Sequence, residues 1–593
     1  MDGSNQQLRG GIRTGGQRGH ERHYESGTNQ LRGSLYEYFQ NEDLNAGQPF
    51  TNAGNGHLVR PAQRRNDYGF TVGGPVRIPK VYDGRSKTFF YFSWEQFIQN
   101  QNFLPGTFSV PTAAYRNGDF SSAITAAGGR NLGTDPLGRP IIADTIYDPT
   151  TRQVAPNGQI VTNPFTNNTI PVSRFDPIAL KIQNLIPQPF CVAGPPCNAS
   201  GVINNFQNTE LVQRHTEAPS LKLDHAIGPQ DKLSFFWSRT LTLTHTGYGE
   251  DGLPQPISYT FGGGIYSHRE RLNYDRTLTP TVLLHLGAGY DADYLGRPSV
   301  TPDYDVCGQL GLCSAAFQRP ATFPSFTGLS DATAGGFGSL PAEPQIGPPG
   351  RADNEYTIVD SIASLTWVKG NHTFKFGGNA EFQGSYTITV SNLSGTYGLS
   401  SAQTAMPYLV NTSTGVSTAN IGPNHIGFPY ASFLLGAIDT AEIDPPSEVR
   451  FGKQQWGFYA QDSWKVTRKL TVDLGIRYDY STWYKEQYGR SPNFAPNLAN
   501  PAAGGYPGAV IYQSTCHCDF AHNYPWGFGP RFGFAWQALP KTVVRGGFGI
   551  AYTGTGVAQV FGAASGNAAA SNKFAPAALP GSPLMRPPPR ARH

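Results

Sequence analysis

The sequence predicts an all-β protein: an antiparallel transmembrane β-barrel with long extracellular loops. Three observations predict it. Stretches long enough to be strands alternate apolar and polar side chains. Short polar turns and long Gly-, Pro- and Asn-rich stretches alternate between those strands. The composition is rich in Gly and aromatics but carries only 15% charged residues, against roughly 25% in an ordinary soluble domain.

The alternation is clearest over residues 470–480. Leu470, Val472, Leu474, Ile476, Tyr478 and Tyr480 fall on one face, opposite Thr471, Asp473, Gly475, Arg477 and Asp479. Successive strand side chains point to opposite faces, so a strand separates these two sets cleanly and a helix would scatter them. Residues 372–382 repeat the pattern, with His372, Phe374, Phe376, Gly378, Ala380 and Phe382 opposite Thr373, Lys375, Gly377, Asn379 and Glu381. So do residues 282–290, where Val282, Leu284, Leu286, Ala288 and Tyr290 oppose Leu283, His285, Gly287 and Gly289. Nearer the end, Phe532, Phe534 and Trp536 share a face, as do Val544, Phe548, Ile550 and Tyr552.

The connections are of two kinds. Thr467-Arg468-Lys469, Lys369-Gly370-Asn371 and Gly228-Pro229-Gln230-Asp231 are tight polar turns. Residues 111–210, 295–350 and 484–523 are long and loop-like. Short turns on one side and long loops on the other is the arrangement of an outer-membrane barrel. Aromatics gather at strand ends, in Phe89–Phe92 with Trp94, Phe235–Trp237, and Tyr478, Tyr480, Trp483 and Tyr484. Barrels place such girdles at the two membrane interfaces. A soluble β-sandwich also carries buried aromatics, but it seldom needs so many strands of this length.

Composition narrows the function classes. The formal net charge is +4 and nearly balanced, so nucleic acid is not an expected partner. No apolar run reaches the ~18 residues of a membrane helix, and barrel strands need only about 9–11 alternating residues. Residues 1–30 are basic and polar, so any export signal is expected outside this sequence. No GxSxG, HExxH, P-loop or dinucleotide fingerprint sits in its proper context, and neither an enzyme nor a cofactor is expected. Asp291/Asp293 and Asp303/Asp305 read as solvated loop carboxylates rather than calcium ligands, because no full ligand loop follows. His285 and His372 lie within strands and read as packing or lumen residues.

The six cysteines form three close pairs, Cys191/Cys197, Cys307/Cys313 and Cys516/Cys518. Local loop disulfides, for which the first two pairs are the candidates, fit an oxidising compartment; free thiols fit the spacing equally. Cys516-His517-Cys518 has no second ligand pair at zinc-site spacing, so no metal site is expected.

Several segments, in order, resemble the Oar-like TonB-dependent transporters. Gly27–Phe39 (GTNQLRGSLYEYF) resembles that family's junction between plug and barrel, and Tyr68–Val76 and Lys87–Glu95 its first barrel strands. Leu221–Arg239, Gly370–Gly378, Ala431–Gly436, Gln461–Tyr480, Phe528–Trp536 and Val544–Gly549 continue the series. The resemblance implies a plugged 22-stranded barrel in the outer membrane of a Gram-negative-type cell. It implies uptake of a large or scarce solute, driven by the inner-membrane TonB complex, with outer-membrane lipid as the surrounding partner. The solute itself is not legible.

The resulting domain expectation is an aberrant or disordered segment 1–26, a plug–barrel junction 27–66, a partial barrel 67–555 and a disordered basic Pro-rich tail 556–593. About a dozen strands are found against the implied 22. No plug precedes residue 27, and Arg586–His593 lacks the alternation and terminal aromatic of a last strand. The chain therefore reads as truncated or frame-shifted at both ends and as unable to transport alone. A structural or adhesive outer-membrane protein, using its surface loops for contact, is the alternative expectation.

Overall fold

In the computed structural model, residues 28–552 and 572–574 are described, apart from internal stretches of which 408–425 is the longest. The expected segment 1–26 and most of the expected tail 556–593 lie outside the described residues.

One 15-stranded antiparallel sheet organises the chain. Its fourteen longer segments are β1 (Arg32–Asn41), β2 (Gln63–Pro75), β3 (Thr88–Phe103), β4 (Glu210–Glu217), β5 (Ser220–Ala226), β6 (Asp231–Tyr248), β7 (Phe261–Thr279), β8 (Val282–Gly296), β9 (Arg351–Lys369), β10 (His372–Val390), β11 (Ser447–Thr467), β12 (Leu470–Ser481), β13 (Phe528–Leu539) and β14 (Thr542–Gly549). The fifteenth is the two-residue Lys485–Glu486 on β11. Spatial order follows chain order throughout, so the sheet is a pure meander. Segments β4 and β5 both lie between β3 and β6, forming one pass interrupted at Ala218-Pro219. Proline has no N–H to give a ladder, which accounts for the break.

Segment 27–66, expected to be the junction, supplies β1, which pairs with β2 from Arg32↔Gly73 to Asn41↔Arg64. Strands β6, β7, β9, β10 and β11 run 18, 19, 19, 19 and 21 residues. They are longer than the ~9–11 residues a bilayer requires, so their ends project beyond it. Ile550 and Tyr552 fall past the end of β14.

The turns all lie at one end of the sheet: 227–230, 280–281, 370–371, 468–469, 540–541 and the slightly longer 76–87. The described residues of 42–62, 104–209, 249–260, 297–350, 391–446 and 482–527 lie at the other end. Gly370 takes φ +58° in its two-residue turn, a backbone angle at which glycine meets no steric penalty.

The long connections are not the structureless loops their composition suggested. Residues of 104–209, 249–260, 297–350 and 391–446 share a single dry core that includes Tyr115, Phe120, Ile182, Ile257, Phe326, Phe337, Phe428 and Phe433. Helices α1 (Ala113–Arg116), α2 (Ser121–Ala126), α3 (Pro177–Gln183) and α4 (Pro429–Leu434) pack within this loop body. Asp176 caps α3 by accepting from the N–H groups of Ile178 and Ala179, and its own N–H donates to Leu434 O at the end of α4. The Ala431–Gly436 segment, grouped with the barrel-like stretches on resemblance, is therefore buried helix and turn. No residue of this core belongs to the fourteen sheet segments.

Candidate functional site

The sheet presents two chemically distinct faces, and pairing register carries each face unbroken from strand to strand. On one face Trp367, Phe374, Trp464 and Trp536 form a row near the turns, with partners Trp367↔Phe374 and Leu470↔Trp536. Phe382, Trp456, Tyr478 and Phe528 form a second row toward the loops, with Phe382 and Trp456 rings 5.5 Å apart and Tyr478 and Phe528 rings 4.8 Å apart. Between the rows lie Val359, Phe376, Phe458, Leu474, Ile476 and Phe532. Phe458 is 54% exposed and Leu474 48%. Trp456 and Trp464 are eight residues apart, about 27 Å along a strand at roughly 3.4 Å per residue. At a tilt near 40° that is about 20 Å of membrane depth, and with the rings' own width it approaches the ~25 Å apolar band of such proteins. An uncovered apolar belt of this extent is unsuited to water and suited to lipid.

The opposite face is polar and internally paired. Arg269 on β7 donates to Asp291 on β8 at 3.0 Å and to Asp293 at 3.4 Å. His285 Nδ1 lies 2.7 Å from Asp275. Arg477 on β12 reaches Asp479 and, across β11, Asn379 on β10, each at 2.8 Å. Gly457 lies beneath that guanidinium, and a Cβ there would collide with it. Tyr36 donates to Glu95 at 2.9 Å, passing over Gly69. The glycines opposite the apolar face are thus notches over which long polar side chains lie. Nearer the loops, Arg65 and Arg214 both rest on the Phe97 ring, 4.7 and 5.4 Å from its centre.

The sequence expectations meet this geometry unevenly. Asp291 and Asp293 were expected in a loop; they are strand residues paired with Arg269. Asp305 accepts from the Gly308 N–H and closes a turn, while Asp303 lies outside the described residues. His372 Nδ1 meets Asp462 at 2.7 Å and its ring stacks on Trp464. The cysteines pair as Cys191–Cys197, Cys307–Cys313 and Cys516–Cys518, with Cα separations of 5.8, 4.5 and 5.2 Å. Among the described residues no three His, Cys, Asp or Glu side chains converge on a metal-sized site. Among the described residues no helix is long and apolar enough to cross a membrane.

The loop body holds what the sequence reading missed. Tyr430 donates to Gln183 at 2.9 Å inside it, and burial raises the Tyr430 pKa. Burial pushes the Tyr115 phenol up to about 12. Asp148 is pushed up by burial, but the Arg174 guanidinium at 2.8 Å and the Thr150 hydroxyl and N–H together outweigh this and hold it below the ordinary range. Burial takes Asp251 to about 7 even though it accepts from Leu253, Ser258 and Tyr259. Short apolar runs such as Tyr430–Leu434 inside Gly/Pro-rich stretches were the available signal.

Comparison with known proteins agrees with the two-faced sheet. A family described as outer membrane beta barrel domain matches residues 23–589. No curated protein matches. Among solved structures, the outer membrane transporter YddB from Escherichia coli is 12% identical, with 89% of this chain and 44% of that chain covered and a TM-score of 0.43. The siderophore receptor PirA from Acinetobacter baumannii is 10% identical, with 90% and 44% covered and a TM-score of 0.34. The ferripyoverdine receptor of the Pseudomonas aeruginosa outer membrane is 9% identical, with 90% and 44% covered and a TM-score of 0.38. The chain thus spans less than half the length of these structures. With the family matched over nearly all of its length, and with an apolar belt outside and a charged face within, this chain belongs to the outer-membrane β-barrel domain family.

Proposed function

We propose that this chain is barrel wall from a TonB-dependent transporter that takes up a large or scarce solute with energy from the inner-membrane TonB complex. The observation that carries the reading is the ordered set of segments resembling Oar-like transporters, which fall in chain order on strands of the meander, with the exception of Ala431–Gly436. The polar face supports it, because a lumen that passes hydrophilic solute needs charged and amide side chains such as Arg269, Asn379 and Arg477. The loop body then lies at the extracellular mouth. The cysteine pairs act as local staples there, formed in an oxidising compartment.

The test is uptake by cells carrying a full-length transporter gene that includes this barrel wall, with ferric siderophores, oligosaccharides and peptides offered in turn. Uptake of one class is expected, and it is expected to cease when the TonB complex is deleted. Uptake that persists without that complex would overturn the reading. Surface attachment lost on expression of a loop-deleted gene, with no uptake of any class, would favour the adhesive alternative.

A further inference from the structure

The turn end of the sheet concentrates positive charge on one flank, although the chain as a whole is nearly balanced at +4. Lys369 precedes turn 370–371, Lys465, Arg468 and Lys469 surround turn 468–469, and Lys541 lies in turn 540–541. All five are exposed, and among the described residues none makes an ion pair. The acids nearby in sequence are directed elsewhere. Asp462 is held by His372 Nδ1 at 2.7 Å, and Asp473 points to the polar face. Turns 227–230 and 280–281 contain no Lys or Arg, so the charge belongs to the β9–β14 flank. Residues 76–87 hold a second basic stretch several strands away, where Arg85 pairs with Asp83.

Pairing register sets these cations beside the turn-side aromatic row of the apolar belt. Lys369 pairs with His372, which pairs with Trp464 and stacks on it at 5.3 Å. The Lys369 ammonium lies 5.1 Å from the centre of the Trp367 ring. The Lys469 carbonyl accepts from the Gln537 N–H, next to Trp536. The three turns join neighbouring hairpins, so they follow one another at two strand spacings, about 10 Å. Cations therefore border the Trp367, Trp464 and Trp536 row along its turn side.

That position decides the partner. Tryptophan rows mark the level of the lipid headgroups, and long basic side chains next to them reach the same level. Short turns face the periplasm in barrels of this class. Unpaired cations at headgroup depth attract anionic lipid, and each adds to the attraction. Continuity with the lipid-facing belt favours a lipid over a soluble acidic partner.

We infer that turns 370–371, 468–469 and 540–541 form a basic rim that binds the anionic headgroups of phospholipids of the phosphatidylglycerol type in the periplasmic leaflet. The rim rests on the barrel's seat in the membrane and is independent of what the barrel transports.

The experiment uses the full chain in neutral detergent micelles doped with equal amounts of brominated phosphatidylglycerol or brominated phosphatidylcholine. Bromine on the acyl chains quenches tryptophans that the lipid touches. Stronger quenching by the phosphatidylglycerol is expected, and the excess should shrink in high salt. The triple variant K369Q/R468Q/K469Q is expected to lower that preference by about tenfold or more, with an unchanged far-UV β signal. K369R/K469R should retain it, and so should K181Q in the loop body. Equal quenching by the two lipids would overturn the rim, as would a preference unaltered in the triple variant or lost equally in K181Q. Displacement of the brominated phosphatidylglycerol by an equal concentration of glycerol phosphate would also overturn it, since that outcome assigns the cations to a soluble anion.

Discussion

The sheet and the loop body are two regions of one chain that solve burial in opposite ways. The sheet has no interior of its own: its largest apolar side chains, such as Phe458 and Phe532, point outward and stay about half exposed to whatever surrounds the protein. Its internal face is held by hydrogen bonds and ion pairs such as Arg477–Asn379. The loop body does the reverse, with Tyr115, Phe337 and Phe428 shielded completely and polar groups such as Tyr430 and Gln183 bonded to one another inside it. Lipid supplies the apolar environment for the first region, whereas the second must make its own. The difference teaches that one substitution type should act with opposite severity in the two regions.

The largest effect is expected inside the loop body. Phe337 is fully buried, and its ring meets Phe108 edge-on at 4.8 Å. Phe337→Ala should destabilise the loop body by about 3–5 kcal/mol, read as rapid proteolysis of the connections while the sheet keeps its β signal and heat-modifiable migration. Simultaneous loss of both would break the distinction. On the sheet, Leu474→Arg faces the apolar belt and should cost about 2–4 kcal/mol, measured by denaturant titration in lipid vesicles. Its neighbour Asp473 points to the polar face, and Asp473→Asn should stay within about 0.5 kcal/mol; equal penalties would refute the facing. A smaller effect is expected at Gly457→Ala, where the new Cβ displaces the Arg477 guanidinium. A loss of about 1–3 kcal/mol is expected, and it should shrink in Arg477→Ala, where the obstruction is gone.

The sheet was largely legible because its signal is local. Alternation over 470–480 depends only on side-chain direction within a strand, and the structure returns it as β12. Tight turns such as Arg468-Lys469 bound those segments in sequence. Strand lengths were read short: the alternation over 372–382 belongs to a strand that runs to Val390, because past the membrane both faces may be polar and the pattern fades. The polar-face partners were less legible. Arg477 and Asn379 are 98 positions apart, and nothing near either residue announces the other. Asp291 and Asp293 resembled loop acids because their strand reads polar there, and only the neighbouring Arg269 explains them.

What the sequence by itself determined is the two-faced meander and the asymmetry of its connections, since period-two alternation and turn chemistry act within a few residues of one another. What only the tertiary structure decided is that the long connections are a packed body. Its elements are too short to show a period: α3 has seven residues and α4 has six. Their apolar residues become a core only when four distant connections converge. The parallel pairing of Ser325–Thr327 with Thr396–Gly398, with Phe326 stacked on Tyr397 at 5.2 Å, is one such meeting.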